Sequence, residues 1–480
     1  MCLNLVYNQF SNKNMISQKT RSTLKITIGT ILVAFGTLLL VAFSSGYNFD
    51  IFRGEIFSTG LVLLGTNPSG ASIKINNKSI SQKTPYRLEN FKTGNLNVEY
   101  SKPDYKVWNS SYVVRPGEVT FADYALLLPN NIEQSDNFTK LKFDNLITSE
   151  ERFKVYAFLN SPGSIYELDQ TNNPKKVIEL PPNSAIQPPN KLTENLLSRD
   201  GSAIITRASY ENGSTAKFWI DSASAQLVDI EALLSKKASD IKFNQRNSKE
   251  FYSLAEGKIR RANVDNKQIL DLAASSISSY QLDREYIYTL ENLNPIEQGQ
   301  FLVRYDYNGN NRYVLAQLPP STSPREILAS EYNGQKLLAI RSTGEGGLYV
   351  YRQSEGKNLL SFAGAGVTLD AFSPNGRLLS YIQNNILKTI DIETGERFSV
   401  DSTDTNSISW ITNYQLIISK PNGLYMVDFN GYNYNKIPPN SLSTSQYRYA
   451  IKSNDKSVYY TLDGNLTFFT LQPKGLINFR

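Results

Sequence analysis

One pattern recurs through most of this chain after about Asn130: a turn, an apolar strand, a second turn, another strand. The clearest copy is AFSPNGRLLSYIQNNILKTIDIETGE, Ala371 to Glu396, with reversals at PNG, NN and ETGE between short β-rich runs. Looser copies begin at Leu197 (LSRDGSAIITRASY), Phe251 (FYSLAEGKIRRANVDNK), Tyr286, Glu331 (EYNGQKLLAIRSTG), Gln415 and Ser453 (SNDKSVYYTLDG). Their first turns align at Arg199-Asp200-Gly201, Tyr332-Asn333-Gly334, Pro374-Asn375-Gly376 and Asn454-Asp455-Lys456. Gly or Asn at such a place relieves the positive φ of a tight hairpin. A second repeat supports the first: Leu180-Pro181-Pro182-Asn183-Ser184, Leu318-Pro319-Pro320-Ser321 and Ile437-Pro438-Pro439-Asn440-Ser441. Proline cannot donate to a ladder, so each pair ends an outer strand and starts a link. The pairs stand 138 and 119 positions apart, each close to three units of roughly 40–45 residues. Units centre near residues 160, 210, 255, 295, 340, 382, 420 and 460. That is eight, or seven if the first is an irregular entry segment. Small sheets repeating at this period predict a β-propeller, in which each unit needs its neighbours to bury its faces.

Composition narrows the chemistry. The 480 residues include no His and one Cys, Cys2. The commonest general base and metal ligand are therefore missing, as are a Ser-His-Asp triad, an intrachain disulfide and a cysteine-based zinc site. Catalysis would rest on carboxylates, Lys, Tyr or Ser. Net charge is +6, with no run of five or six basic residues, so nucleic acid is not an expected partner. No DxDxDG calcium loop and no GxSxG elbow is present, and no cofactor is expected. Asp200, Asp455 and Asp463 sit in turns and read as hairpin residues.

Ile26 to Phe43, ITIGTILVAFGTLLLVAF, carries no charge. As a helix it extends roughly 27 Å, enough to cross a bilayer core. Lys13, Lys19, Arg21 and Lys25 precede it, while Asp50 and Glu55 follow with only Arg53 as a nearby cation. The positive-inside rule then places the N-terminus in the cytoplasm and the bulk of the chain outside, as a single-pass protein of the cell membrane. A cleaved signal peptide is the alternative, with Ala42 to Ser44 as a tolerable site, though the apolar run is long for one. Met15 is a second candidate start.

From Gly60 to Pro129, short alternating runs are separated by turn signals. Ala71, Ile73 and Ile75 share one strand face, as do Leu96, Val98 and Tyr100, and Val119 and Phe121. NPSG (Asn67 to Gly70), INNK, KTG and RPGE supply the turns. About seventy residues of this kind predict a small β-sandwich. Pro85 suits the start of an edge strand, and Tyr105 and Trp108 suit packing. NPSGA at Asn67, KTPYRL at Lys83, the Gly94 turn and PDYKVW at Pro103 together resemble the PEGA domain, a module of many bacterial surface proteins. That family typically has Gly before the Tyr of the last element, where this chain has Asp104. The resemblance implies an extracytoplasmic spacer or interaction module without catalytic residues. The FSPNGRLLSYIQNNILKTIDIETGE segment is similar to the WD40-like repeat of TolB-type propellers, with Asn375 in place of the usual acid; this implies a binding platform and no fixed activity.

Tyrosines two apart recur at 286 and 288, 305 and 307, 349 and 351, 432 and 434, and 447 and 449. Blade-to-blade packing accounts for most. Tyr432 and Tyr434, in the loop-like NGYNYNK, are the candidate binding residues. The expected organisation is a basic cytoplasmic N-terminus (1–25), a transmembrane helix (26–43), a linker (44–59), a PEGA-like sandwich (60–129), a link (130–140) and a seven- or eight-bladed propeller (141–480). The expected function is a non-catalytic surface protein whose propeller binds a protein or a cell-envelope polymer. The alternatives are an exported carboxylate-based enzyme acting on polysaccharide or peptide, and a purely structural envelope protein.

Overall fold

The computed structural model describes residues 18–50, 55–136, 141–149, 151, 154–168, 174–183, 186–272, 276–292, 299–321, 323–342, 347–354, 357–400, 404–438, 448–452, 456–462 and 464–471. Cys2, Lys13, Met15, Arg53, Ser184, Pro439, Asn440, Ser441, Tyr447, Asn454, Asp455 and Asp463, all invoked above, lie outside them. The chain divides into two compact units, 1–102 with 107–127, and 103–106 with 128–480.

The first unit opens with α1 (Gln18–Ser44). Its stretch Lys25–Ser44 has a mean hydropathy of 2.4 and none of it is buried by protein. The helix stops at Gly46, whose φ of +81° places it in the left-handed region. Gly46 O accepts the Thr59 amide at 2.7 Å, and Gly117 N donates to Thr59 O at 2.9 Å. A Cβ on Gly46 would lie 2.2 Å from Gly117 N, so only glycine permits this approach.

Eight strands follow: β1 (Tyr47–Asp50), β2 (Glu55–Asn67), β3 (Ser72–Ile75), β4 (Lys78–Lys83), β5 (Tyr86–Lys92), β6 (Gly94–Ser101), β7 (Trp108–Val114) and β8 (Val119–Leu126). They form two four-stranded sheets, one of β1, β2, β5 and β8, the other in the order β4-β3-β6-β7. The core between them contains Val62, Leu64, Ala71, Ile73, Leu96, Val98, Tyr100 and Trp108. Trp108 stacks on Tyr100 with ring centroids 5.2 Å apart. Asp104 has φ +68°, a conformation glycine adopts without cost, which explains the residue type expected there. Residues 47–50 and 55–59 are paired strand rather than linker: the hydrophobic alternation of YNFDIFRGEIFS is too short to separate from an interfacial segment. Val119 and Phe121 do share a face, but it is the outer one (41% and 46% exposed), and β8 contributes Ala122 and Leu126 to the core.

The second unit is an eight-bladed propeller. After β9 (Gln134–Asp136), β10–β13 form blade 1 (145–179), β14–β17 blade 2 (191–229) and β18–β21 blade 3 (239–271). β22–β25 form blade 4 (277–318), β26–β29 blade 5 (325–365), β30–β33 blade 6 (367–400), β34–β37 blade 7 (407–437) and β38–β40 blade 8 (448–470). Each blade is an antiparallel meander, and β9 supplies the outermost strand of blade 8 by pairing with β40 (Asn465–Thr470). The polar segment 130–140 therefore holds the ring's closing strand. QSD carries no apolar alternation, so nothing in its composition marks it as one. The prolines after Leu180, Leu318 and Ile437 follow the outermost strands of blades 1, 4 and 7, three blades apart.

Apolar cores lie between consecutive blades. Tyr156, Phe158 and Ile165 of blade 1 pack on Leu192, Ile204 and Phe218 of blade 2. Leu146, Val155 and Leu168 of blade 1 pack on Tyr459, Leu466 and Phe468 of blade 8, closing the circle. Polar tips of large residues end on the neighbouring blade's backbone: Tyr156 OH on Gly201 O at 2.6 Å, Trp219 Nε1 on Ser248 O at 3.0 Å, Trp410 Nε1 on Ala371 O at 3.1 Å. The first hairpins of blades 2 and 6 share one solution. Ser198 Oγ donates to Asp200 Oδ1 (2.7 Å) and Ser373 Oγ to Asn375 Oδ1 (2.9 Å). Each of those oxygens also accepts the amide two residues on, so Asn375 serves this turn as an acid does.

Candidate functional site

A β-bulge inserts a residue without a ladder partner and re-aims its side chain. Two such bulges occur in the innermost strands of adjacent blades. In β14 (Lys191–Leu197) the register shifts between Thr193 and Leu196. In β18 (Ser239–Phe243) it shifts between Ser239 and Lys242. Each bulge holds an acid in the left-handed region, Glu194 at φ +49° and Asp240 at φ +42°. Such backbone is unfavourable for a residue with a Cβ and concentrates at functional sites.

Both acids line one cleft of roughly 990 Å³ between blades 2 and 3. Leu196, Ile205 and Ile241 give it an apolar floor, and Arg207, Lys217, Glu231, Lys236, Lys237 and Glu256 a charged wall. Four acids face four bases. Glu194 takes Arg207 and Lys217, each at 2.8 Å. Lys217, nearly buried, also donates to Ala238 O at 2.7 Å and so ties blade 2 to the segment leading into blade 3. Lys236 meets Glu256 at 3.3 Å and Lys242 meets Asp240 at 3.5 Å. Desolvation raises the Glu194 carboxyl, but hydrogen bonds from Lys217 and Arg207 outweigh it and hold its pKa below the usual range. The Asp240 carboxyl is shifted upward, chiefly by desolvation and further by Glu326, against the pull of Lys242. Desolvation lowers the Lys242 ammonium in turn. The two bulge acids are thus shifted in opposite directions, Glu194 downward and Asp240 upward. Among the described residues no three acids converge as a metal site requires.

The short helix α2 (Ile230–Leu234) delivers Lys236 and Lys237 to the rim. Asp229 caps it by accepting the Ala232 amide at 2.9 Å, and Ile230 and Leu234 anchor it in the core between blades 2 and 3. None of the cleft residues stands out in the sequence. Glu194 and Asp240 are 46 positions apart, about one blade period, and that spacing is the only signal they carry.

Tyr432 (42% exposed) and Tyr434 (36%) lie in the loop that joins the third strand of blade 7 to its outermost strand. Tyr434 packs on Tyr425 at 5.1 Å between centroids. Lys420 Nζ sits over both rings, 5.4 Å from Tyr434 and 5.7 Å from Tyr425. The structure therefore places an aromatic pair under an ammonium there, far along the chain from the acid-bearing cleft. Tyr288, Tyr305, Tyr307 and Tyr351 are buried. Tyr288 OH donates to Asp283 at 2.8 Å, and Tyr305 OH donates to Glu291.

Residues 59–128 match the family model of the PEGA domain. Among solved structures, the chain is similar to a streptogramin B lyase, at 15% identity over 71% of this chain and 98% of that one (TM-score 0.39). It is also similar to the oligogalacturonate lyase of Vibrio parahaemolyticus, at 11% over 72% and 100% (TM-score 0.42), and to a eukaryotic initiation factor, at 11% over 70% and 92% (TM-score 0.45). Likenesses this distant transfer no activity and exclude none. No curated protein matches the chain.

Proposed function

We propose that this chain is a membrane-anchored extracytoplasmic binding protein, with the sandwich as spacer and the propeller as platform for a protein or a cell-envelope polymer. The apolar stretch of α1 and the basic residues before it support an N-terminus in the cytoplasm and the bulk of the chain outside. The observation that carries the binding reading is the pair of acid-bearing bulges, Glu194 and Asp240, aimed into one cleft. A charge-balanced wall over an apolar floor suits a segment that carries both signs, as a peptide does.

Full-length protein in detergent, screened against peptide and envelope-polysaccharide arrays, tests this. Binding that falls tenfold or more in the Glu194→Gln/Asp240→Asn double variant, with an unchanged unfolding midpoint, supports the cleft. Binding indifferent to that pair, or no captured ligand at all, counts against it.

The carboxylate-enzyme reading gains one specific observation. Asp240 and Lys242 stand 3.5 Å apart, and desolvation shifts each toward its own neutral form, the direction in which a carboxyl or an amine is tuned for proton transfer. Turnover of polysaccharide or peptide that disappears in Asp240→Asn would move the conclusion to it.

A further inference from the structure

We infer that the end of the sandwich carrying α1 lies directly on the outer lipid surface, and this rests on the reading of α1 as a membrane span. Among the described residues of the sandwich, the large apolar side chains exposed by more than a third are Tyr47, Ile56, Val107, Val113, Val119 and Phe121. All but Val107 fall within four positions of Gly46, Thr59 or Gly117, the residues that lock the end of α1 to the sheet. These side chains therefore lie close along the chain to the residues that hold the end of the helix, on both sheets of the sandwich. Lys92 and Arg115 are exposed at the same end, and Lys92 pairs in register with Thr59. Arg115 pairs with Glu118 at 3.8 Å, while Lys92 beside apolar and aromatic side chains suits a phosphate headgroup layer.

Distance decides how much of this end reaches lipid. The junction leaves no free linker: Ser44 ends the helix and Tyr47 begins β1. A strand rises about 3.3 Å per residue, so Val119 stands about 7 Å from Gly117 and Phe121 about 13 Å. The headgroup layer is about 5–8 Å deep on each side. Tyr47 and Val119 stand within that depth of the junction and Phe121 stands beyond it, while Ile56 lies on the β1–β2 hairpin, which runs from Thr59 in the direction opposite to β8. Leu61 and Leu63, in register with Val119 and Phe121 on β2, extend the same outer face. Lipid contact at this end fixes the sandwich upright on the membrane as well as tethering it.

The full chain in phosphatidylcholine–phosphatidylglycerol nanodiscs tests this. A Cys2→Ser background carries one fluorophore per variant, at Leu32→Cys, Ile56→Cys, Val107→Cys, Val119→Cys or Phe121→Cys. The expected result is strong quenching at Leu32 by an acyl-chain nitroxide. A headgroup nitroxide should quench Ile56 and Val119 at least twofold more than Val107, with Phe121 between. Quenching at Leu32 together with equal values at Val107 and Val119 overturns lipid contact and leaves the anchor standing. No quenching at Leu32 overturns both.

Discussion

Two seams of the same ring are built in opposite ways. Between blades 5 and 6 the polar groups close on themselves. Arg377 takes Asp391 at 2.8 Å and Glu393 at 3.2 Å. Tyr332 of blade 5 donates to Glu393 at 3.0 Å, and Arg352 of blade 5 reaches Ile392 O at 3.1 Å. Asp391 is almost wholly buried and also caps its own turn by accepting the Glu393 amide at 2.9 Å. Between blades 2 and 3 the apolar core is as continuous, with Trp219, Phe243 and Phe251 buried, but the charges above it stay at the wall of an open cleft. In the first seam charge is part of the joint. In the second it is left available, and the strain at Glu194 and Asp240 falls there.

Cutting into the apolar core between blades 2 and 3 should have the largest effect. Trp219→Ala removes a fully buried indole and its bond to Ser248 O, and is expected to cost about 3–5 kcal/mol in denaturant unfolding. A loss under about 1 kcal/mol would mean that this seam is not held by its apolar core. Asp391→Ala should cost about 2–4 kcal/mol, because it strips Arg377 of its closest partner inside the seam. Glu194→Gln should change stability by less than about 1 kcal/mol, since its carboxylate is half exposed, while weakening the proposed ligand. Equal costs for Asp391→Ala and Glu194→Gln would erase the contrast.

An effect of similarly small size concerns one turn. Lys456 stands at φ +51° where the aligned turns have Gly201, Gly334 and Gly376 at +73°, +73° and +79°. Lys456→Gly should stabilise by about 1 kcal/mol. Desolvation lowers the Lys456 ammonium to about 8. Between that value and the unfolded pKa, near 10.4, the unfolded chain binds more protons. Stability from this group therefore rises with pH above about 8, by at most about 1.4 kcal/mol per unit. The unfolding midpoint of the natural protein should climb relative to Lys456→Gly between pH 8 and 9.5; parallel profiles would refute the shift.

The propeller was legible because its turns are local. Ser-Pro-Asn-Gly at 373 and Ser-Arg-Asp-Gly at 198 announce hairpins through side-chain bonds spanning two residues, and three proline pairs mark strand ends three blades apart. The cleft was not legible, because a bulge is a mismatch between two strands and leaves no trace in either one read singly. Glu194 in KLTENLL and Asp240 in SDIKF look like any exposed strand acids. The closing strand was hidden for the same reason: Gln134–Asp136 pairs with residues about 330 positions later.

That pairing sets an order on synthesis. The first strand of the ring to leave the ribosome belongs to the last sheet completed, so it waits unpaired while seven units are threaded after it. Folding of the ring cannot lock until residues near 470 have arrived. The two ends of the ring come together only once the whole of it has emerged.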